Sequence, residues 1–114
     1  MPADIQQLME LNTGIGDAEN RGDREWLAAT LAPKLAFQRA DPARTVDDLE
    51  TFLSRVTKGG DRTTNVNAID VRGDIAVVRC TVCADGKYFD NARLFVRRNN
   101  DWKLLGWANE PAAT

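Results

Sequence analysis

YFDNARLFVRRNNDWKLLGWAN, residues Tyr88 to Asn109, is the stretch on which the reading of this chain turns. Two runs of near-alternating polarity flank Asn99-Asn100-Asp101, residue types that supply the positive-φ positions of a tight turn. The stretch therefore predicts an antiparallel hairpin. Alternation sorts its side chains by face. In the first arm Tyr88, Asp90, Ala92, Leu94 and Val96 share one side, and Phe89, Asn91, Arg93, Phe95 and Arg97 the other. In the second arm Trp102, Leu104, Gly106 and Ala108 oppose Lys103, Leu105, Trp107 and Asn109.

Working outward, Ile75–Ala84 predicts a strand whose set Ala76, Val78, Cys80, Val82 and Ala84 is wholly apolar. Thr63–Arg72 predicts another, with Ile69 and Val71 on one face, and Gly73-Asp74 and Asp85-Gly86 are the connecting turns. Apolar content assigns Ala92, Leu94 and Val96 to the helix-facing side, together with Trp102 and Leu104. Phe89, Phe95, Leu105 and Trp107 then fall on the outer face. That much aromatic surface predicts a homodimer formed through the sheet.

The N-terminal half has a helical period. From Ala3 to about Asn20 apolar residues fall at Ile5, Leu8, Met9, Ile15 and Ala18. Gly14 and Gly16 weaken this helix by up to ~1 kcal/mol each relative to alanine, and they either admit another element closely or mark a bend. Asn20-Arg21-Gly22-Asp23 reads as a stop near Gly22 followed by a start at Asp23. A short helix over Arg24–Leu31 presents Trp26, Leu27 and Leu31, and Pro33 ends it. Leu35–Phe37 is a short extended segment, and Arg39–Arg44 is a loop. Thr45 and Asp48 resemble a capping box for a third helix carrying Leu49, Phe52, Leu53 and Val56 as far as Gly59-Gly60. The tail, Glu110–Thr114, is expected to be unanchored. Helices first and antiparallel strands after predict an α+β layer fold, a single domain over residues 1–114.

Composition narrows the function classes. A net charge of −2 provides no concentrated basic surface for nucleic acid, and the run Arg93, Arg97, Arg98 reads as a solvated strand face. No apolar run approaches the ~20 residues a membrane span requires, and MPADIQQLMELN has no features of a secretory signal, so a cytoplasmic location is expected. The chain has no histidine, which removes the commonest general base and most transition-metal sites. No metal or cofactor is expected. Cys80 and Cys83 form a CxxC spacing, but within a strand they point to opposite faces roughly 10 Å apart, beyond disulfide reach.

The order of elements resembles the SnoaL-like members of the nuclear-transport-factor-2-like superfamily. The residues that carry the resemblance are the connector Arg21-Gly22-Asp23, Leu31-Ala-Pro-Lys-Leu-Ala-Phe37, the helix Val46–Val56, and the closing Ala92–Arg98 and Trp102–Trp107. It covers nearly the whole chain and rests on pattern, because the superfamily has no short diagnostic motif. It implies a cone-shaped fold, three helices around a bent antiparallel sheet, with a pocket between them and frequent dimerisation through the sheet. Relatives range from ketosteroid isomerase and epoxide hydrolases to non-catalytic association domains, so fold alone does not assign function.

The superfamily's enzymes work with carboxylates and tyrosines in apolar cavities, where burial raises a carboxyl pKa. Candidates here are Asp41, Tyr88 and Asp90, beside a pocket formed by Trp26, Phe37, Phe52, Leu94 and Trp102. Asp41 before Pro42 also suits an ordinary turn, and Tyr88 and Asp90 also suit a solvated strand end. Two readings follow. In one, the pocket binds, or isomerises, dehydrates or hydrolyses, a small hydrophobic molecule without a cofactor. In the other, the chain is a non-catalytic dimerisation or association module. A carboxylate with a raised pKa facing an open cavity separates them.

Overall fold

α1 (Ala3–Arg21) opens the chain with a stripe of buried side chains, Leu8, Asn12 and Ile15, spaced to face one side of the helix. It stops where the sequence predicts. Gly22 takes the left-handed conformation at φ 70°, and its N–H bonds back to the last helical turn. Asp23 then caps α2 (Arg24–Thr30) by accepting from the Trp26 N–H at 3.0 Å. The Trp26 ring lies against Gly14, where a Cβ would sit 2.8 Å from two ring carbons. Gly14 is therefore present to let two helices close on an aromatic ring.

The computed structural model describes residues 2–112. After α2 the chain enters β1 (Leu31–Gln38) directly, so Pro33 lies inside a strand and does not mark the helix end. β1 is longer than the expected Leu35–Phe37 segment. A loop leads to β2 (Val46–Asp47) and then α3 (Leu49–Arg55). The expected capping box is replaced by two separate devices. Asp48 caps α3 through the Thr51 N–H, while Thr45 bonds back to Asp41.

Four strands complete the chain: β3 (Thr63–Arg72), β4 (Ile75–Ala84), β5 (Lys87–Arg98) and β6 (Asp101–Pro111). With β1 and β2 they form one six-stranded sheet in the order β2-β1-β6-β5-β4-β3. Only the β1–β6 pair is parallel; the other pairs are antiparallel. Asp85-Gly86 and Asn99-Asn100 all have positive φ, as the tight hairpin turns require. β6 runs on to Pro111, and the Ala112 N–H donates to the Tyr88 carbonyl, so the tail is anchored that far. Ala113 and Thr114, the rest of the tail expected to be unanchored, lie outside the described residues.

The three helices pack on one face of this curved sheet, an α+β arrangement as expected, over a core that includes Leu8, Ile15, Leu27, Phe52, Val78, Phe95 and Leu104. The face assignment of β5 is reversed. Phe95 and Arg93 are 0% and 1% exposed, Asn91 is buried, and Tyr88 is 62% exposed with Asp90 also in solvent. The cause is register. The two-residue turn at Asp85-Gly86 pairs Val82 with Phe89, Cys80 with Asn91, Val78 with Arg93 and Ala76 with Phe95. Directly paired residues share a face, so an apolar inner set on β4 brings the odd-numbered residues of β5 inside.

β6 changes face partway. Trp102 and Leu104 point inward, Leu105 is the extra residue of a bulge, and beyond it Trp107 is the inward residue. Phe95 and Trp107 are therefore core residues, half-buried Phe89 faces the helices, and of the expected dimer surface only Leu105 remains outside. Cys80 is buried and Cys83 is half-buried on the other side of β4, both free thiols.

Candidate functional site

A cavity of about 690 Å³ opens between the end of α1, α3 with the loop that follows it, and the inner face of β4, β5 and β6. Its floor is a row of paired residues, Phe37 on β1, Trp107 on β6 and Arg93 on β5. The central position of β6 places Phe37 and Arg93 on either side of the indole. The Phe37 ring centroid is 4.1 Å from that of Trp107, and the Arg93 guanidinium carbon is 4.5 Å from it. Phe52 closes the aromatic group, 5.6 Å from Phe37 and 5.4 Å from Trp107.

The next row on the sheet pairs Asn91 with Asn109. Asn91 Oδ1 accepts from the Trp107 indole N–H at 2.6 Å, which fixes the indole orientation. Asn109 Oδ1 is buried and has no hydrogen-bond partner. A buried amide oxygen without a donor carries a desolvation cost of about 1–3 kcal/mol, which a ligand N–H or O–H would remove.

Glu19 enters from α1. It belongs to the helix stripe Leu8, Asn12, Ile15, Glu19, spaced by four, three and four residues, so its carboxylate is carried to the core side. Its side chain is 12% exposed and meets Arg62 Nε at 3.3 Å. Burial pushes its pKa above the usual carboxylate value, outweighing the opposing pull of Arg62, Arg93 and Arg39. Arg93 donates from Nη1 to the carbonyl and Oδ1 of Asn12 at 2.9 and 3.1 Å.

The residues expected from sequence are dispersed. Phe37 and Phe52 line the cavity. Asp41 reaches its rim, but its carboxylate accepts from the Thr45 hydroxyl at 2.6 Å and the Thr45 N–H at 2.8 Å. Those bonds hold its pKa below the usual range, the state of a turn-forming carboxylate and not of a base. Tyr88 and Asp90 project from the outer face, half-buried Leu94 shares that face, and Trp26 packs on Gly14. Trp102 is buried in the core under Arg97, whose guanidinium carbon is 4.7 Å from its ring. No cluster of three or more metal-ligating side chains occurs among the described residues.

Glu19, Arg93, Asn91, Asn109 and Trp107 are the site residues that the sequence reading did not place in the cavity. Two signals for them were present. Asn12 and Glu19 are polar residues at core spacing on an amphipathic helix, and the Asp-Gly turn sets the parity that turns Asn91 and Arg93 inward.

Comparison with known proteins agrees with this architecture. A comparison with curated proteins finds no match. Among solved structures, an NTF2-like protein of unknown function from Silicibacter pomeroyi superposes with a TM-score of 0.86 at 18% identity, covering 98% of this chain and 100% of that one. A structure from Streptomyces avermitilis, titled a "putative dehydratase from the NTF2-like family", gives 0.77 at 23% identity, with 97% of each chain covered. One from Exiguobacterium sibiricum, titled a "putative Ca/calmodulin-dependent kinase II association domain", gives 0.78 at 18%, covering 100% of this chain and 97% of that one. These likenesses establish the fold. No helix among the described residues is long and apolar enough to cross a membrane. Residues 4–106 match the model of the family described as "Putative lumazine-binding", so the chain belongs to that family and carries the NTF2-like fold.

Proposed function

We propose that this protein binds a small planar organic molecule in the cavity between α1, α3 and the sheet. The observation that carries the reading is an open space of about 690 Å³ in which an aromatic wall meets buried, unsatisfied polar groups. Phe37, Phe52 and Trp107 offer apolar and ring contacts, and Asn109 offers an unused acceptor. The family's description names lumazine, a flat fused heterocycle with ring N–H donors and carbonyl acceptors, and that chemistry suits this lining. Lumazine is accordingly the first ligand to try. Calorimetric titration is expected to give saturable heat with the parent protein. In F37A and N109L, checked for an intact fold by thermal melt, affinity is expected to fall about tenfold or more. Absence of heat with the parent would rule out a lumazine-type ligand.

A second reading, catalysis by proton transfer, is favoured by Glu19. It is the raised-pKa carboxylate in an open cavity that separates an enzyme from an association module, a role expected of Asp41 or Asp90. The reaction class that Glu19 supports is proton abstraction from, or donation to, a bound small molecule, with no cofactor. The homodimer expected from the sequence is retained on different residues. Ile75 and Val77, 51% and 39% exposed, lie on the outer face with Leu94 and Leu105, and we place the dimer contact there.

A further inference from the structure

Six basic side chains reach the wall of the cavity. Arg39 and Arg55 converge on the buried Asp47 carboxylate at 3.1 and 3.3 Å, and Arg62 meets Glu19 at 3.3 Å. Lys58 and Lys87 are exposed at the rim, where water solvates them. Arg93 has neither kind of compensation. It is 1% exposed, its Nη1 is shared between two neutral oxygens of Asn12, and its Nε has no partner. Among the described residues no carboxylate forms an ion pair with it.

A guanidinium removed from water without an ion-paired carboxylate is strongly disfavoured, and the neutral bonds and the Trp107 face offset only part of that. Its planar fork is also suited to two parallel bonds from one carboxylate. We propose that the ligand of this cavity is a planar organic carboxylate whose anionic end docks on Arg93, with its ring against the aromatic wall. The inference rests on the reading of the cavity as a ligand site and specifies the ligand's charge. Glu19 sets a limit on it. Its carboxylate lines the same cavity, so an incoming anion meets that charge as well.

The test uses 2-naphthoate and its neutral isostere 2-naphthamide as probes, titrated by calorimetry at about pH 7, where the acid is ionised. The amide could satisfy Asn109, so the pair asks which buried group dominates recognition. The parent protein is expected to prefer the acid by about tenfold to a hundredfold, the range of a charge-assisted hydrogen bond. In R93M/N12L, which replaces the buried polar pair by apolar side chains, that preference is expected to vanish. E19Q, which removes the competing carboxylate, is expected to widen it. Equal binding of the two probes, tighter binding of the amide, or binding of neither overturns the inference. So does an acid preference that survives in R93M/N12L. If R93M/N12L does not fold, E19Q decides the matter, since an unchanged or narrowed preference there also overturns it. The lumazine titration judges the cavity separately: heat with lumazine but no preference for naphthoate leaves a ligand site and removes only its anionic character.

Discussion

Glu19 and Arg93 are opposite charges buried at two depths of one cavity wall, with no ion pair between them. Each is held away from bulk water on a different element, α1 and β5, and neither is neutralised fully by the other. Their cost has a measurable consequence for Glu19. Folding disfavours its ionised form, so the folded state holds the proton more tightly than the unfolded state does. The stability Glu19 contributes is greatest below its ordinary pKa of 4.5 and is lost as pH rises through the higher folded-state value. E19Q removes that titration. Its stability relative to the parent, measured by urea unfolding, is expected to improve as pH rises from 4.5 toward neutrality. A difference that is flat across this range, or that moves the other way, would contradict the assignment of Glu19 as a desolvated acid. Arg93 illustrates why residue-level reading of the sequence stopped short. An arginine between Ala92 and Leu94 looks like the solvent side of a strand, and composition alone gives no reason to bury it.

At the scale of elements, the information that buries it was present in the turns. A two-residue Asp-Gly connection makes the paired positions of β4 and β5 sum to an odd number, so even residues of one share a face with odd residues of the other. Apolar content alone points the opposite way from that parity, and it puts Tyr88 and Asp90 on the helix-facing side. The caps at Gly22 and Asp23 and the hairpin turns were legible because they depend on single residues and local geometry. The bulge at Leu105 was not, because it depends on how β6 must bend to serve both the β5 edge and the parallel β1 edge. Helix packing gives a direct test at this scale. G14A removes a glycine from a helix interior, which alone would stabilise by about 1 kcal/mol. The added methyl would meet the rigid Trp26 ring at 2.8 Å. Strain is expected to win, with a net loss of about 1–3 kcal/mol in chemical denaturation. A stabilised G14A would mean that α1 and α2 do not close on each other as described.

For the whole molecule, charge is sorted in a way its net value conceals. A chain of net charge −2 places six basic and four acidic side chains around its cavity. Its opposite face shows Ile75 and Val77 to solvent at 51% and 39% exposure. On the proposed reading the helix-covered face serves a ligand and the outer face a partner, the division the sequence suggests, but with the residues of β5 exchanged between the two faces. V77E is expected to convert a dimer to a monomer in sedimentation equilibrium while leaving the melt cooperative. A parent protein that is already monomeric, or a V77E dimer, would remove the outer face from consideration. The central claim concerns the other face, and Trp107 reports on it directly. Its indole N–H is held by Asn91 at the cavity wall, while Trp102 is buried elsewhere in the core and Trp26 packs against Gly14. In two-dimensional nitrogen–proton spectra recorded during lumazine addition, with the indole signals assigned through W107F, the Trp107 resonance is expected to shift to saturation while those of Trp26 and Trp102 stay in place. A Trp107 resonance that does not move, or a shift confined to Trp26 or Trp102, would contradict the cavity as the binding site.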